Sequence, residues 1–130
     1  MDKDGLDPNL KIFISYTTRD SYINTKLLKA IEYMVSDFCS PFIDLLHNDS
    51  NDKQAYVELK LAESDMLLLL SSASVSESNW VQWELNEAHN NGIPIVNIPI
   101  NCDNEPELLN TLQSRLYMEL DKLTADKTRE

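Results

Sequence analysis

Met66-Leu67-Leu68-Leu69-Leu70 limits the fold of this chain more than any other segment: five large apolar residues in a row, with no polar residue at alternate positions. A strand with one face in water alternates apolar and polar side chains. A short unbroken run suits a strand covered on both faces, as in a parallel sheet. Lys11-Ile12-Phe13-Ile14-Ser15-Tyr16 has the same character. Pro41-Phe42-Ile43-Asp44-Leu45 reads as a second strand in chain order. Ile93-Pro94-Ile95-Val96-Asn97-Ile98 reads as the last one, its prolines restricting which positions can pair.

Helical periodicity fills the intervals. Ile23, Leu27, Ile31, Met34 and Phe38 recur every three or four residues and predict an amphipathic helix over 21–38, with Asp20 available to cap it. Lys53 to Glu63 reads as a short helix with Tyr56, Val57, Leu59 and Leu61 as its apolar residues. Asn79 to Asn91 reads as a helix ending at Gly92, a natural residue just past a helix C-cap. A last helix starts near Pro106, where a missing N–H is harmless, and buries Leu109, Leu112, Leu116 and Leu120. His47–Asp52 and Asn101–Asn104 read as loop and turn. Residues 1–9 and 124–130 read as flexible tails around one domain, 10–123.

Strands alternating with helices imply an α/β fold: a small doubly wound parallel sheet of four to five strands, flanked by helices through right-handed crossovers. Such sheets bind ligands at the carboxyl ends of the strands, where the strand order reverses. Those ends are residues 16–20, 44–48, 71–74 and 98–101.

Composition removes several chemistries. The only two glycines, Gly5 and Gly92, leave no phosphate-cradling glycine loop of the dinucleotide or P-loop kind. A net charge of −11, from 22 acidic and 11 basic residues, argues against nucleic acid or an anionic membrane as partner. No apolar run approaches the ~20 residues that span a bilayer, and the acidic N-terminus is unlike a signal peptide. Cys39 and Cys102 lack motif spacing, which suits a reduced, cytoplasmic protein. His47 and His89 are not at metal-ligand spacing with them, so no metal is expected. The serine turn of a hydrolase is absent, as are a receiver's acidic cluster after the first strand and its lysine after the fourth.

What remains is Ser78-Asn79-Trp80-Val81-Gln82-Trp83-Glu84-Leu85, a helix start carrying one carboxylate beside two tryptophans. Taken alone, Glu84 reads as a solvated helix glutamate. In order, the blocks Lys11–Tyr16 followed by Asp20, Phe42-Ile43-Asp44, Ser64–Ser71, Ser78–Leu85 and Ile93–Val96 resemble those of a TIR (Toll/interleukin-1 receptor) domain. The Trp-Val-x-Trp-Glu form is most similar to bacterial TIR-like proteins of the Thoeris anti-phage type. The resemblance covers about residues 10–120 and implies a flavodoxin-like fold.

For function, the resemblance implies an enzyme that takes NAD as substrate. It would cleave the nicotinamide–ribose bond and release an ADP-ribose-type nucleotide signal in anti-phage immunity. A partner effector would sense that product, and the domain would self-associate through TIR–TIR contacts. The position matching the family's catalytic glutamate is Glu84. Thr17, Thr18 and Arg19 fall in the loop that lines the family's nucleotide pocket, Arg19 as a possible phosphate partner. Asp44 is placed to hold a ribose hydroxyl, Ser72 and its neighbours Ser71 and Ser74 to bond ligand or cap the next helix, and Trp80 to stack on a ring. Trp83 fits the core better. The loop from Leu45 to Lys53 lacks the proline and glycine common there in the family. Two alternatives stay open: a non-catalytic TIR–TIR interaction module, and a nucleoside deoxyribosyltransferase-like enzyme, which shares the topology and also uses a glutamate.

Overall fold

A computed structural model describes residues 9–37, 39–48, 51–100 and 105–128. Phe38, Asp49, Cys102, the turn at 101–104 and most of the expected N-terminal tail lie outside these. The elements run β1 (Lys11–Ser15), α1 (Thr25–Val35), β2 (Ser40–Ile43), α2 (Asp44–His47), α3 (Lys53–Glu63), β3 (Met66–Ser71), α4 (Asn79–Asn90), β4 (Ile95–Pro99) and α5 (Glu105–Thr128). The four strands form one parallel sheet in the order β2-β1-β3-β4. This is the α/β architecture expected, and the order reverses between β1 and β3.

Strand pleating explains why the apolar runs do not alternate. Ile12, Ile14, Met66, Leu68 and Leu70 point to a core shared with Leu28 and Ile31 of α1 and Leu112 and Leu116 of α5. Phe13, Leu67 and Leu69 point the other way, against Val57 and Leu61 of α3 and Val81 and Ala88 of α4. Both pleat faces are buried, so both are apolar. Each fully buried Leu or Ile contributes about 1.5–3 kcal/mol.

Several boundaries depart from expectation. α1 begins at Thr25, four residues later than its periodicity suggests, because Asn24 is the cap: its side chain accepts from the Leu27 N–H at 3.0 Å. Asp20 caps nothing. Its carboxylate accepts from the Ser74 N–H and hydroxyl, both at 2.9 Å, and so ties the loop after β1 to the loop after β3. β2 ends at Ile43, and Asp44 opens the single turn α2 instead of closing the strand. β4 starts at Ile95, two residues late. Leu108 joins Leu112, Leu116 and Leu120 as buried in α5, with Leu109 flanking them. α5 continues to Thr128, beyond the point where polar composition suggested a tail.

The end of α4 follows the sequence closely. Gly92 has φ +70°. Its N–H donates to the His89 carbonyl at 3.1 Å, and the Ile93 N–H to the Ala88 carbonyl at 2.9 Å. These are the two bonds that close a helix through a left-handed residue.

Candidate active site

Val81, Glu84 and Ala88 form the buried face of α4. The spacing of three and four residues puts all three on one side of the helix, directed at the sheet. Glu84 therefore occupies a position where this pattern normally holds an apolar residue, and it is only 3% exposed. The solvated-helix reading of Glu84 is overturned. Ser78 sets the start of the helix by accepting from the Val81 N–H at 3.2 Å. The cap is thus Ser78, not Ser71, Ser72 or Ser74.

The same pleat that turns Phe13 toward α4 turns Ser15 toward it, at the carboxyl end of β1. The Ser15 hydroxyl donates to Glu84 Oε1 at 2.7 Å, and both groups are buried. Burial pushes the Glu84 carboxyl up from 4.5 to about 8. The Ser15 hydroxyl pulls it down, the negative Asp44 pushes it up again, and the Trp80 indole one turn earlier lowers it. At neutral pH the free site holds mostly the neutral acid.

Tyr16, Thr17, Thr18, Asp44, Ser78, Trp80 and Glu84 line a cleft of about 190 Å³ at this strand end. It lies where the strand order reverses. Of the residues expected at a site, the structure brings together Thr17, Thr18, Asp44, Trp80 and Glu84. Arg19 and Ser72 do not line the cleft. Arg19 is exposed in the adjoining loop, its N–H bonded to Thr17 Oγ1 at 3.2 Å. Ser72 is buried, and its Oγ meets hydrogen-bond geometry with no group. Its hydroxyl still acts on Asp20, whose carboxyl is held below the usual range by Ser72 first and by the Ser74 amide and hydroxyl besides.

Sequence reasoning missed Ser15, Tyr16 and Ser78 as site residues. Tyr16 Oη accepts from the Leu45 N–H at 2.9 Å. Burial, with the charges of Asp44 and Glu84, pushes the phenol up to about 12 against the pull of that amide, so it stays protonated. One signal was available. A serine closing an otherwise apolar buried strand needs a polar partner, and a glutamate on the buried face of α4, the helix after the neighbouring strand β3, supplies it. Trp80, 38% exposed, sits at the cleft mouth with its ring 5.1 Å from that of Trp83. Trp83 packs against the α3–α4 core, as its position suggested.

The lining has two carboxyl groups, four hydroxyls and one indole, with no lysine, arginine or histidine. The carboxyl and hydroxyl groups offer hydrogen-bonding partners to a ligand, and the indole offers a ring face. Among the described residues, no cluster of three His, Cys, Asp or Glu is placed to hold a metal ion, and no helix is long and apolar enough to cross a membrane.

A family model described as Thoeris protein ThsB, TIR-like domain, matches residues 13–105. The chain belongs to this family. The match covers more than two thirds of the sequence and runs from within β1 to the first residue of α5. Every residue lining the cleft falls inside the matched region of the Thoeris TIR-like domain. No curated protein matches the chain. The Thoeris assignment makes this an anti-phage TIR-type protein.

Proposed function

We propose that this Thoeris TIR-like domain cleaves the nicotinamide–ribose bond of NAD and that Glu84 is its catalytic residue. The observation that carries the reading is a buried glutamate bonded to Ser15 in a hydroxyl-rich cleft, with a second carboxyl and no basic side chain in its lining, at the reversal of strand order. The nicotinamide ring of NAD is a cation, and its ribose carries hydroxyls, so the cleft fits that half of the molecule. Placing the pyridinium beside Glu84 favours the carboxylate and releases the carboxyl proton.

The C1′–N bond then breaks with its electron pair leaving on nicotinamide, which becomes neutral and needs no general acid. Positive charge moves to the ribose C1′–O4′ unit, where the Glu84 carboxylate stabilises it in a low-dielectric setting. Water attacking C1′ and losing a proton gives ADP-ribose. A hydroxyl or ring nitrogen of the ligand attacking instead gives a cyclised product. Asp44 would hold a ribose hydroxyl, and the Trp80 ring would cover the nicotinamide face. The diphosphate would lie outward along the Thr17–Arg19 loop, with Arg19 as its cation. The activity would be cytoplasmic. A separate effector would read the product, and TIR–TIR self-association would assemble the active form.

The test is to incubate the purified protein and Glu84→Gln with NAD, and separately with nucleosides, and to identify products by mass spectrometry. Release of nicotinamide by the wild type, reduced at least ~100-fold in the variant, supports the reading. Base exchange on deoxynucleosides without NAD loss would point to the transferase alternative. Turnover of neither substrate, even in the assembled protein, would leave the interaction-module reading.

A further inference from the structure

The four residues of α2 form one helical turn, which is too short to hold its own position. Its place is set from outside. On the β1 side, Tyr16 Oη holds the Leu45 N–H. At its far end, His47 Nδ1 accepts from the Ile43 N–H at 2.9 Å while Nε2 meets the Glu32 carboxylate of α1. The third anchor is Asn48. Its backbone N–H donates to the Asp44 carbonyl at 3.0 Å, and its side-chain amide donates to Asp44 Oδ1 at 2.7 Å. The same amide reaches the Lys53 carbonyl at 3.2 Å, and Lys53 Nζ donates to the Asn48 carbonyl at 2.6 Å. Asn48 is itself buried.

We propose that Asn48 is a positioning residue of the cleft: clamped to the start of α3, it fixes the direction of the Asp44 carboxylate that faces the ligand. One Asp44 oxygen accepts from the Asn48 amide, which settles the torsion of a side chain that lines the cleft. Without that bond the carboxylate swings freely on a turn that cannot restrain it. The titratable groups facing Glu84 are Tyr16, just after β1, and Asp44 from α2, and Asp44 raises the Glu84 carboxyl pKa. Moving Asp44 therefore changes how Glu84 titrates. Asn48 and Lys53, which form the clamp, belong to the segment whose lack of proline and glycine is unusual. Only the effect on NAD turnover rests on the function proposed above; the titration does not.

The test follows the Glu84 carboxyl carbon by NMR through a pH titration. Asp44→Asn lowers the Glu84 pKa by about half a unit or more, by removing a like charge. Asn48→Ala also shifts it, and adds nothing in the Asp44→Asn background, because two residues acting through one carboxylate are not additive. If NAD is turned over, Asn48→Ala lowers kcat/KM by about tenfold in the wild-type background and has no further effect in Asp44→Asn. A Glu84 titration unmoved by Asn48→Ala, or moved equally in both backgrounds, overturns the proposal. Asn48→Ser, whose side chain is too short to span to Asp44, carries the same two outcomes if the alanine variant does not fold. Absence of NAD turnover with the expected titration shifts would count against the proposed reaction alone. Turnover with an unmoved titration would count against the positioning role alone.

Discussion

Ser15 and Glu84 stand 69 positions apart in the chain, and the Ser15 hydroxyl lies 2.7 Å from Glu84 Oε1. The bond joins the end of β1 to the buried face of α4. It puts a carboxyl group among residues that would otherwise form an apolar contact between sheet and helix.

That burial makes stability depend on pH. The Glu84 carboxyl titrates near 8 in the folded protein against 4.5 ordinarily, so between these values the folded state holds a proton that the unfolded state has lost. Raising the pH therefore costs stability. The contribution is complete below about pH 4.5 and is lost as pH rises through 8, a total on the order of a few kcal/mol. Glu84→Gln, which cannot ionise, removes this slope. Melting temperatures measured from pH 5 to 9 should converge at the acid end and favour the variant at the alkaline end. Parallel curves would show that Glu84 is not buried in this way.

In the proposed reaction the reactive form is the carboxylate, so kcat/KM for NAD should rise with pH, reach half its maximum near 8 and level off above it. Ser15→Ala removes the hydroxyl that pulls the Glu84 carboxyl down. The plateau should move to higher pH, and the protein should lose about 1 kcal/mol through the unpartnered acceptor. Initial rates across the pH range, with denaturant unfolding of both proteins, read the two effects separately.

Ser72 and Arg19 lie outside the cleft lining and should behave differently from its members. Ser72→Ala removes a buried hydroxyl that makes no well-formed hydrogen bond and acts only on the Asp20 carboxylate, so unfolding free energy should stay within about 1 kcal/mol of wild type and kcat should be unchanged. Arg19→Met should raise KM by a few-fold to about tenfold with kcat preserved, as expected for a solvent-exposed phosphate partner. A large loss of kcat in Ser72→Ala would place that hydroxyl on the ligand.

Gly92→Ala tests the closure of α4. A Cβ there meets nothing within 4 Å, so the cost is the left-handed backbone alone, about 1–2 kcal/mol. Turnover at temperatures well below melting should be unaffected, because the strain sits at the far end of the helix from Glu84. Thermal unfolding with a parallel rate assay checks both halves.

Local signals in the chain carried most of the fold. The non-alternating runs marked strands buried on both faces, α3 began and ended where its composition changes, and Gly92 closed α4. Errors gathered where a side chain chose between partners near and far. Asp20 reads as a cap by its place before a helix, yet its carboxylate goes to Ser74, 54 positions away, and leaves the capping to Asn24. Asp44 reads as a strand end, but the Ile43 N–H takes His47 as its acceptor and the chain turns one residue early.

The sequence by itself determined the parallel α/β sheet, its helices and a strand-end region containing Glu84, because burial periodicity and turn chemistry are local properties. Only the tertiary structure decided that Glu84 is buried, that Ser15 bonds it, that Asp44 and Tyr16 share its cleft, and that Ser72 and Arg19 do not line it. Those relationships depend on which residues meet across the β1–β3 reversal and on how far each is withdrawn from water. That withdrawal turns an ordinary helix glutamate into an acid titrating near 8.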